Sequence, residues 1–275
     1  MATKSHSGTG GDAGDDATKM ATVPMPDVTT MVLLLAAGVL TGIVGYGAGL
    51  ASLVSFPALL AAGLPPLTAN LTNTVSLVGT TIGGMAAARR ELVAVRRHLL
   101  PYGLLALGGG VVGAALLLVA PAQVFEKVVP WLVLLGSAAL LLGPRLRTLH
   151  AGRLTPHHPA VLAALGAVSV YCGYFGAGAG VLVLAVLTAV LHHSLAELTA
   201  LRSFLLGCAN LVAAVIFMAT GQVSWWHAVP LGLGAIVGAA MGPAIMRRVP
   251  ETPARIVVAL AGVGLAAKLF VDYYL

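Results

Sequence analysis

The chain has 275 residues, of which 59% are hydrophobic and 9% are charged, and its mean hydropathy is +0.97. A soluble domain carries about 25% charged residues, so this composition excludes a water-soluble fold. The net charge of +6 does not indicate nucleic-acid binding, because the arginines lie between apolar segments, where membrane orientation accounts for them. We therefore predict an all-α polytopic membrane protein in a lipid bilayer.

The chain divides by composition into a polar start and a long apolar remainder. The first 29 residues are rich in Gly, Ser and Thr and carry four aspartates against two lysines. Low hydrophobicity without periodicity is typical of a disordered tail. The predicted parts are a disordered tail at 1–29, a first membrane repeat at 30–143, a basic cytoplasmic linker at 144–158 and a second membrane repeat at 159–275.

Ten apolar segments follow the tail, five in each half of the chain, and we expect eight to ten of them to be membrane helices. In the first half they are 28–46, 50–62, 67–88, 98–120 and 124–143, and in the second half 159–175, 179–192, 195–219, 227–246 and 253–273.

The two halves align without a gap at an offset of 129 residues, which places Gly47 on Gly176 and Gly49 on Gly178. The basic loops do not align, because the arginine-rich loop 89–97 falls on residues without arginine. Arginines mark the cytoplasmic side of a membrane protein. We therefore predict two five-segment repeats of opposite orientation, the inverted-topology construction of secondary transporters.

The distribution of charge also sets the orientation of the whole chain. Ten of the 15 Lys and Arg residues lie in the three loops 89–97, 145–153 and 247–255. With an odd number of segments in each repeat, these loops share one side of the membrane. The positive-inside rule makes that side cytoplasmic, so both termini are predicted to be extracytoplasmic.

One segment in each repeat is too short to span the bilayer. A spanning helix needs about 20 residues, whereas 50–62 has 13 and its equivalent 179–192 is similarly short. Each follows a glycine-rich break, and Gly-interrupted short segments in equivalent positions indicate a transporter's binding site. The free N–H groups at the start of a helix favour an anion. The alternative is that these glycines serve only close helix packing.

Polar residues inside the apolar segments give a second set of candidates. Arg202 lies within the eighth segment next to Ser203, and its forked donors suit an oxyanion. The alternative is an arginine near the cytoplasmic boundary that snorkels or pairs with Glu197. The predicted substrate-binding residues are Gly47, Gly49, Asn70, Thr72, Asn73, Gly176, Gly178, Arg202 and Ser203. The polar run around Asn73 could instead serve helix capping and interhelical hydrogen bonds.

The remaining residues give no sign of enzymatic chemistry. The sequence has no His-Glu-x-x-His or Gly-x-Ser-x-Gly motif, and Cys172 and Cys208 show no spacing typical of a metal site. We predict a non-enzyme without a cofactor or a metal. The leading hypothesis is a secondary transporter for a small anion. A passive anion channel and a sensory or structural membrane protein are the alternatives, and homo-oligomerisation stays open.

The residues after the first break resemble those of the sulfite exporter TauE/SafE family. Pro57, the turn Gly63-Leu64-Pro65-Pro66, Ala69 and Thr72 carry the resemblance. The likeness extends over about 30–273, because the second half repeats the glycine break. The resemblance implies a bacterial inner-membrane permease, often linked to sulfite, sulfonates or related sulfur-containing anions. From the repeats themselves we predict alternating access at their interface, by movement of one set of segments against the other.

Overall fold

The computed structural model describes residues 25–148, 155–246 and 251–275, and these residues form eleven α-helices and no strand. The helices are α1 (Val28–Ala48), α2 (Ala51–Ala61), α3 (Pro66–Ala87), α4 (Arg89–Ala94), α5 (Arg96–Val119), α6 (Ala122–Thr148), α7 (Pro159–Tyr174), α8 (Ala179–Val190), α9 (Leu195–Ala219), α10 (Trp225–Met246) and α11 (Glu251–Tyr274). The predicted all-α fold is confirmed. The predicted tail up to residue 24 and the middle of the predicted linker, 149–154, lie outside the described residues.

Each of the ten predicted segments corresponds to one helix. The structure differs from the prediction in two places, the loop 89–97 and the end of α6. The predicted basic loop 89–97 contains the short helix α4, whose first turn includes Glu91. An acidic residue there stabilises the positive end of the helix. In addition, α6 continues to Thr148, five residues beyond the predicted end of the first repeat at 143. Helix α6 therefore extends beyond its apolar part into the predicted linker.

Six helices among the described residues are long and apolar enough to cross a membrane: α1, α5, the 122–143 part of α6, α9, α10 and the 255–274 part of α11. Helices α2, α7 and α8 are apolar but shorter. Helix α3 has 22 residues, but its first turns carry the polar run that includes Asn70 and Asn73. A multi-pass membrane protein is therefore confirmed, with the broken elements α2 and α8 among the short helices.

Side chains mark the start of several helices. Asp27 accepts a hydrogen bond from the backbone N–H of Thr30 at 2.9 Å. Hydrogen bonds from the Thr30 side chain and, second, from its backbone N–H lower the pKa of the Asp27 carboxyl from its ordinary value. At the start of α9, Ser194 and Glu197 form a reciprocal capping box. Glu197 also contacts His193 at 3.1 Å, so the bonds of this carboxylate lie at the N-terminus of α9.

The helices of the two copies coincide at the 129-residue offset. The starts of α3, α5 and α6 at residues 66, 96 and 122 correspond to the starts of α9, α10 and α11 at 195, 225 and 251. The packing follows the same correspondence. Helix α1 packs against α10, and its equivalent α7 packs against α5. The two copies therefore exchange partners, as expected for repeats related by a two-fold axis, whereas their opposite orientation in the membrane stays a prediction.

Glycines allow these exchanged helix pairs to approach closely. A Cβ added at Gly234 of α10 would lie 2.1 Å from the carbonyl oxygen of Leu35, and one added at Gly38 of α1 would lie 2.2 Å from that of Leu231. The pair α5 and α7 meets in the same way, because a Cβ at Gly113 would lie 2.0 Å from the Val170 oxygen. In these pairs backbone touches backbone, as in other closely packed membrane helices.

The first prediction concerns this backbone contact. Gly234→Ala forces α10 away from α1, and overpacking of this kind costs about 1–3 kcal/mol. We expect a clear fall in the thermal unfolding midpoint of the purified protein in detergent. Gly264→Ala is the matched control, because a Cβ at Gly264 meets no atom within 4 Å. Equal midpoints for the two variants would contradict the proposed close contact.

The second prediction concerns orientation. Val93 in α4 and Gln222 between α9 and α10 lie in equivalent parts of the two copies. If the copies are inverted, single cysteines at these positions face opposite sides of the membrane. We expect a membrane-impermeant maleimide to label Gln222→Cys in intact cells and to label Val93→Cys only after the cells are opened. The wild-type chain provides the background, and labelling of both variants from the same side would refute inversion.

Candidate functional site

The first helix break lies between α1 and α2. Gly49 ends α1 in the left-handed conformation, with φ of 75°, which glycine adopts without steric cost. A Cβ at Gly49 would lie 2.8 Å from the Cα of Gly180, in the first turn of α8. The beginnings of the two short helices therefore touch each other through glycine backbone, and the two breaks form one region.

The second break lies between α7 and α8 and uses two left-handed glycines. Gly176 has φ of 76° and Gly178 has φ of 73°, so any side chain at either position would be strained. Gly178 packs on Gly136 of α6, since an added Cβ would lie 2.8 Å from the Cα of Gly136. The hydroxyl of Tyr171 donates to the oxygen of Ala177 at 2.6 Å, which satisfies one carbonyl inside the break.

The carbonyl ends of the broken helices are bound by side chains from the opposite copy. Arg202 of α9 donates to the carbonyl oxygens of Tyr46 and Gly47 at the end of α1. Reciprocally, Asn70 of α3 donates to the oxygen of Tyr174, at the end of α7, at 2.9 Å. Since α3 and α9 are equivalent helices, each copy satisfies the carbonyl end that the other copy leaves open.

The N–H ends of the short helices α2 and α8 are not capped by side chains. The residues that precede α2 and α8, Leu50 and Gly178, make no side-chain cap hydrogen bond. Both first turns line a common cavity of about 40 Å³. The cavity is lined by Gly45, Tyr46, Gly49, Ala51, Ser52, Leu77, Thr80, Thr81, Cys172, Gly176, Gly180, Ser203, Leu206 and Asn210. The N–H groups of Leu53, Ala179 and Val181 donate to backbone oxygens within these first turns. Those of Ala51, Ser52 and Gly180 have no such acceptor among the described residues, and these three residues line the cavity at the positive ends of two helix dipoles.

Three of the nine predicted site residues line this cavity, namely Gly49, Gly176 and Ser203. Arg202 lies directly behind the wall: its Nη1 atom would be 3.3 Å from a Cβ at Gly49. Arg202 is fully buried, so it does not snorkel to the surface. Its guanidinium places a positive charge beside the cavity while it binds the end of α1.

The other predicted site residues do not line the cavity. Gly47 offers its carbonyl to Arg202, and Gly178 precedes α8. Asn73 accepts a hydrogen bond from Ser55 and donates to Ser52 at 3.4 Å, so it holds a residue of the cavity wall. Thr72 accepts from the backbone N–H of Ser224 at 3.1 Å, which ties α3 to the start of α10.

The cavity also contains residues that the sequence analysis did not select. Thr81 and Asn210 are equivalent at the 129-residue offset, as are Leu77 and Leu206, and all four line the cavity. The cavity is therefore built symmetrically from both copies. The offset itself was the available signal: a polar residue in the middle of α3 whose equivalent in α9 is also polar marks this position.

The cavity wall presents neutral polar groups. Among the described residues, no charged side chain lines the cavity, and no group of His, Cys, Asp and Glu side chains has the arrangement of a metal site. The polar groups are hydroxyls, one amide, one thiol and backbone N–H groups. Such a wall can bind and release a small polar or anionic molecule without a covalent step.

Several bacterial proteins have similar sequences. A probable membrane transporter protein of Sinorhizobium sp, ORF9, is 27% identical over 244 residues, which are 88% of this chain and 93% of that protein. YfcA of Escherichia coli strain K12, also a probable membrane transporter protein, is 28% identical over 241 residues, 87% and 89% of the two chains. A further one from Haemophilus influenzae is 23% identical over 245 residues, 89% and 96%.

These similarities and the bundle of apolar helices define a multi-pass bacterial membrane transporter. A family can also be assigned within this class. Residues 30–269 match the sulfite exporter TauE/SafE family, so the chain belongs to that family. The family resemblance found in the sequence is confirmed.

The third prediction tests the reciprocal bonds at the carbonyl ends. Arg202→Ala removes the guanidinium that donates to the part-buried carbonyls of Tyr46 and Gly47, and the loss of such a donor costs about 1–3 kcal/mol for each group that is left unsatisfied. We expect the thermal midpoint to fall by several degrees, with a smaller fall for Asn70→Ala, which frees one carbonyl. Ser203→Ala is the control, because its hydroxyl donates only to Thr199 in its own helix, at 2.9 Å. A stable Arg202→Ala protein would show that the end of α1 needs no donor.

Proposed function

We propose that the chain is a secondary transporter of a small anion, with sulfite, a sulfonate or a related sulfur-containing anion as the substrate. The observation that carries the proposal is the pair of helix starts without side-chain caps at one cavity. Inside a membrane, a backbone N–H without an acceptor costs several kcal/mol. An anion in the cavity would accept from the N–H groups of Ala51, Ser52 and Gly180, which have no backbone acceptor among the described residues. The guanidinium of Arg202 adds positive charge behind the wall.

The size of the cavity favours a small substrate. A cavity needs a volume of about 10–15 Å³ to hold one water molecule, and this cavity has a volume of about 40 Å³. The space therefore suits an ion of a few heavy atoms. The name of the family, sulfite exporter, agrees with such an ion. Larger sulfonates would require the walls to move apart, as they do in a transport cycle that opens the site to one side at a time.

The packing supports alternating access between bodies that mix the two copies. Helices α1, α3 and α10 pack together, and so do their equivalents α7, α9 and α5. The cavity lies where residues of both groups meet, for example Leu77 and Leu206. A rocking movement of one group against the other would open the cavity to one membrane face and close it to the other. The site would lie in the bacterial inner membrane, with both termini extracytoplasmic.

A passive anion channel is the second candidate, since its pore would also present donors to an anion. The two mechanisms differ in counterflow. A carrier exchanges labelled anion outside for unlabelled anion inside and accumulates label transiently, whereas a channel does not. The assay is uptake of labelled sulfite by proteoliposomes, with sulfate, methanesulfonate and acetate as competitors and choline as a cationic control. Saturable counterflow of one anion class supports the proposal, and the absence of any anion flux refutes it.

The fourth prediction uses a larger side chain in the cavity. Ala51 lies in the first turn of α2 and lines the cavity, so Ala51→Leu fills the space and covers the free N–H groups. We expect at least a tenfold loss of anion flux with the fold retained. Ala61→Leu, at the exposed end of the same helix, is the matched control and keeps its flux. Equal flux in both variants would place the substrate elsewhere.

A further inference from the structure

We propose that Asn210 donates its amide N–H groups directly to the transported anion and that Cys172 positions this amide, an inference that rests on the proposed function. Asn210 lies in α9, lines the cavity and is 8% exposed. Its Oδ1 accepts a hydrogen bond from the thiol of Cys172, with 3.7 Å between Sγ and Oδ1. Because the oxygen is held in this direction, the two N–H groups remain for a ligand.

The amide nitrogen has no acceptor in the part of the chain that the structure describes. The nitrogen is not fully enclosed, and the side chain borders the cavity, so its accessible surface lies there. A nearly buried donor without an acceptor is costly in a membrane protein. An anion in the cavity would remove this cost by accepting from the amide, which is the reason to assign Asn210 to the substrate.

The hydroxyl groups of the wall are less suited to an anion. Ser203 donates to Thr199 at 2.9 Å, and Thr80 donates to the Leu77 oxygen at 2.7 Å. A hydroxyl whose proton is used in this way presents lone pairs, which repel a negative charge. The amide of Asn210 has two N–H groups and no such competing acceptor. Its equivalent in the first copy, Thr81, bonds the Leu77 oxygen only at 3.5 Å.

A second donor comes from the first copy. The hydroxyl of Ser52, in the first turn of α2, accepts from Asn73 at 3.4 Å and is not seen to donate within the described residues, so its proton is left for a ligand. Ser52 and Asn210 belong to different copies. An anion bound by both would therefore connect the two groups of helices that must move during transport.

Cys172 acts through Asn210 and is a positioning residue. Without the thiol, no other described residue donates to Oδ1 of Asn210. The amide can then turn by about 180° and present its oxygen to the anion. An acceptor oxygen in that place would repel the substrate. The hydroxyl of a serine at position 172 is closer to its own backbone than the thiol, and a small shift of the Asn210 side chain brings Oδ1 within its reach, so Cys172→Ser should preserve the orientation that Cys172→Ala loses.

The test is uptake of labelled sulfite by proteoliposomes, with KM and kcat measured separately. Asn210→Asp is close in shape but replaces the N–H donors by a carboxylate, and we expect at least a tenfold rise in KM. Asn210→Ser, which removes the amide but keeps a polar group, should raise KM in the same direction. Thr188→Ala is the matched control, because Thr188 bonds Ala185 in its own helix and lies away from the cavity.

The outcomes separate the two proposals. If the wild-type protein moves sulfite and Asn210→Asp keeps the wild-type KM, the assignment of Asn210 is overturned while the proposed function stands. If folded wild-type protein moves none of the anions offered, the proposed function and this inference both fail. For Cys172, a raised KM in Cys172→Ala that Cys172→Ser restores supports positioning, and equal KM values in the two variants overturn it. Should Asn210→Asp fail to fold, Asn210→Ser decides the question.

Discussion

The whole structure depends on one constraint, which is that every backbone polar group inside a bilayer needs a partner. Breaking two membrane helices exposes carbonyl ends and N–H ends. The carbonyl ends are bound by Arg202 and Asn70, each from the copy opposite to the broken helix. The N–H ends of α2 and α8 have no side-chain cap and face a cavity. The breaks therefore leave donors, not acceptors, for a ligand.

The predicted duplication accounts for the symmetry of this division. Equivalent positions contribute to the cavity in pairs, such as Thr81 with Asn210, so the binding region lies where the two copies meet. The symmetry is not complete. Arg202 corresponds to Asn73, which bonds within its own copy to Ser52 and Ser55, whereas Arg202 crosses to the other copy. The fixed positive charge thus comes from one copy only, which suits a site that binds a negative ion.

The elements of the fold could be predicted because hydropathy and glycine breaks are local properties of the sequence, and the 129-residue offset is found by comparing the sequence with itself. The candidate site was predicted in part for the same reason, since Gly49 and Gly176 are visible as breaks. The sequence could not show which polar residues point into the cavity. Asn70 and Arg202 bond carbonyls over 100 residues away, and such long-range partners depend on packing. Asn210 gave no local signal, because a single amide in an apolar helix is also typical of helix association.

The exchanged pairing of helices has a consequence for how the protein is made. The glycine face of α1, with Gly38, is covered by α10, which begins about 200 residues later in the chain. At synthesis rates of 5–20 residues per second, this delay is roughly 10 to 40 s. By contrast, α5 meets α7 after about 60 residues. Helix α1 therefore remains without its partner α10, in lipid or beside an insertion factor, until nearly the whole chain has left the ribosome.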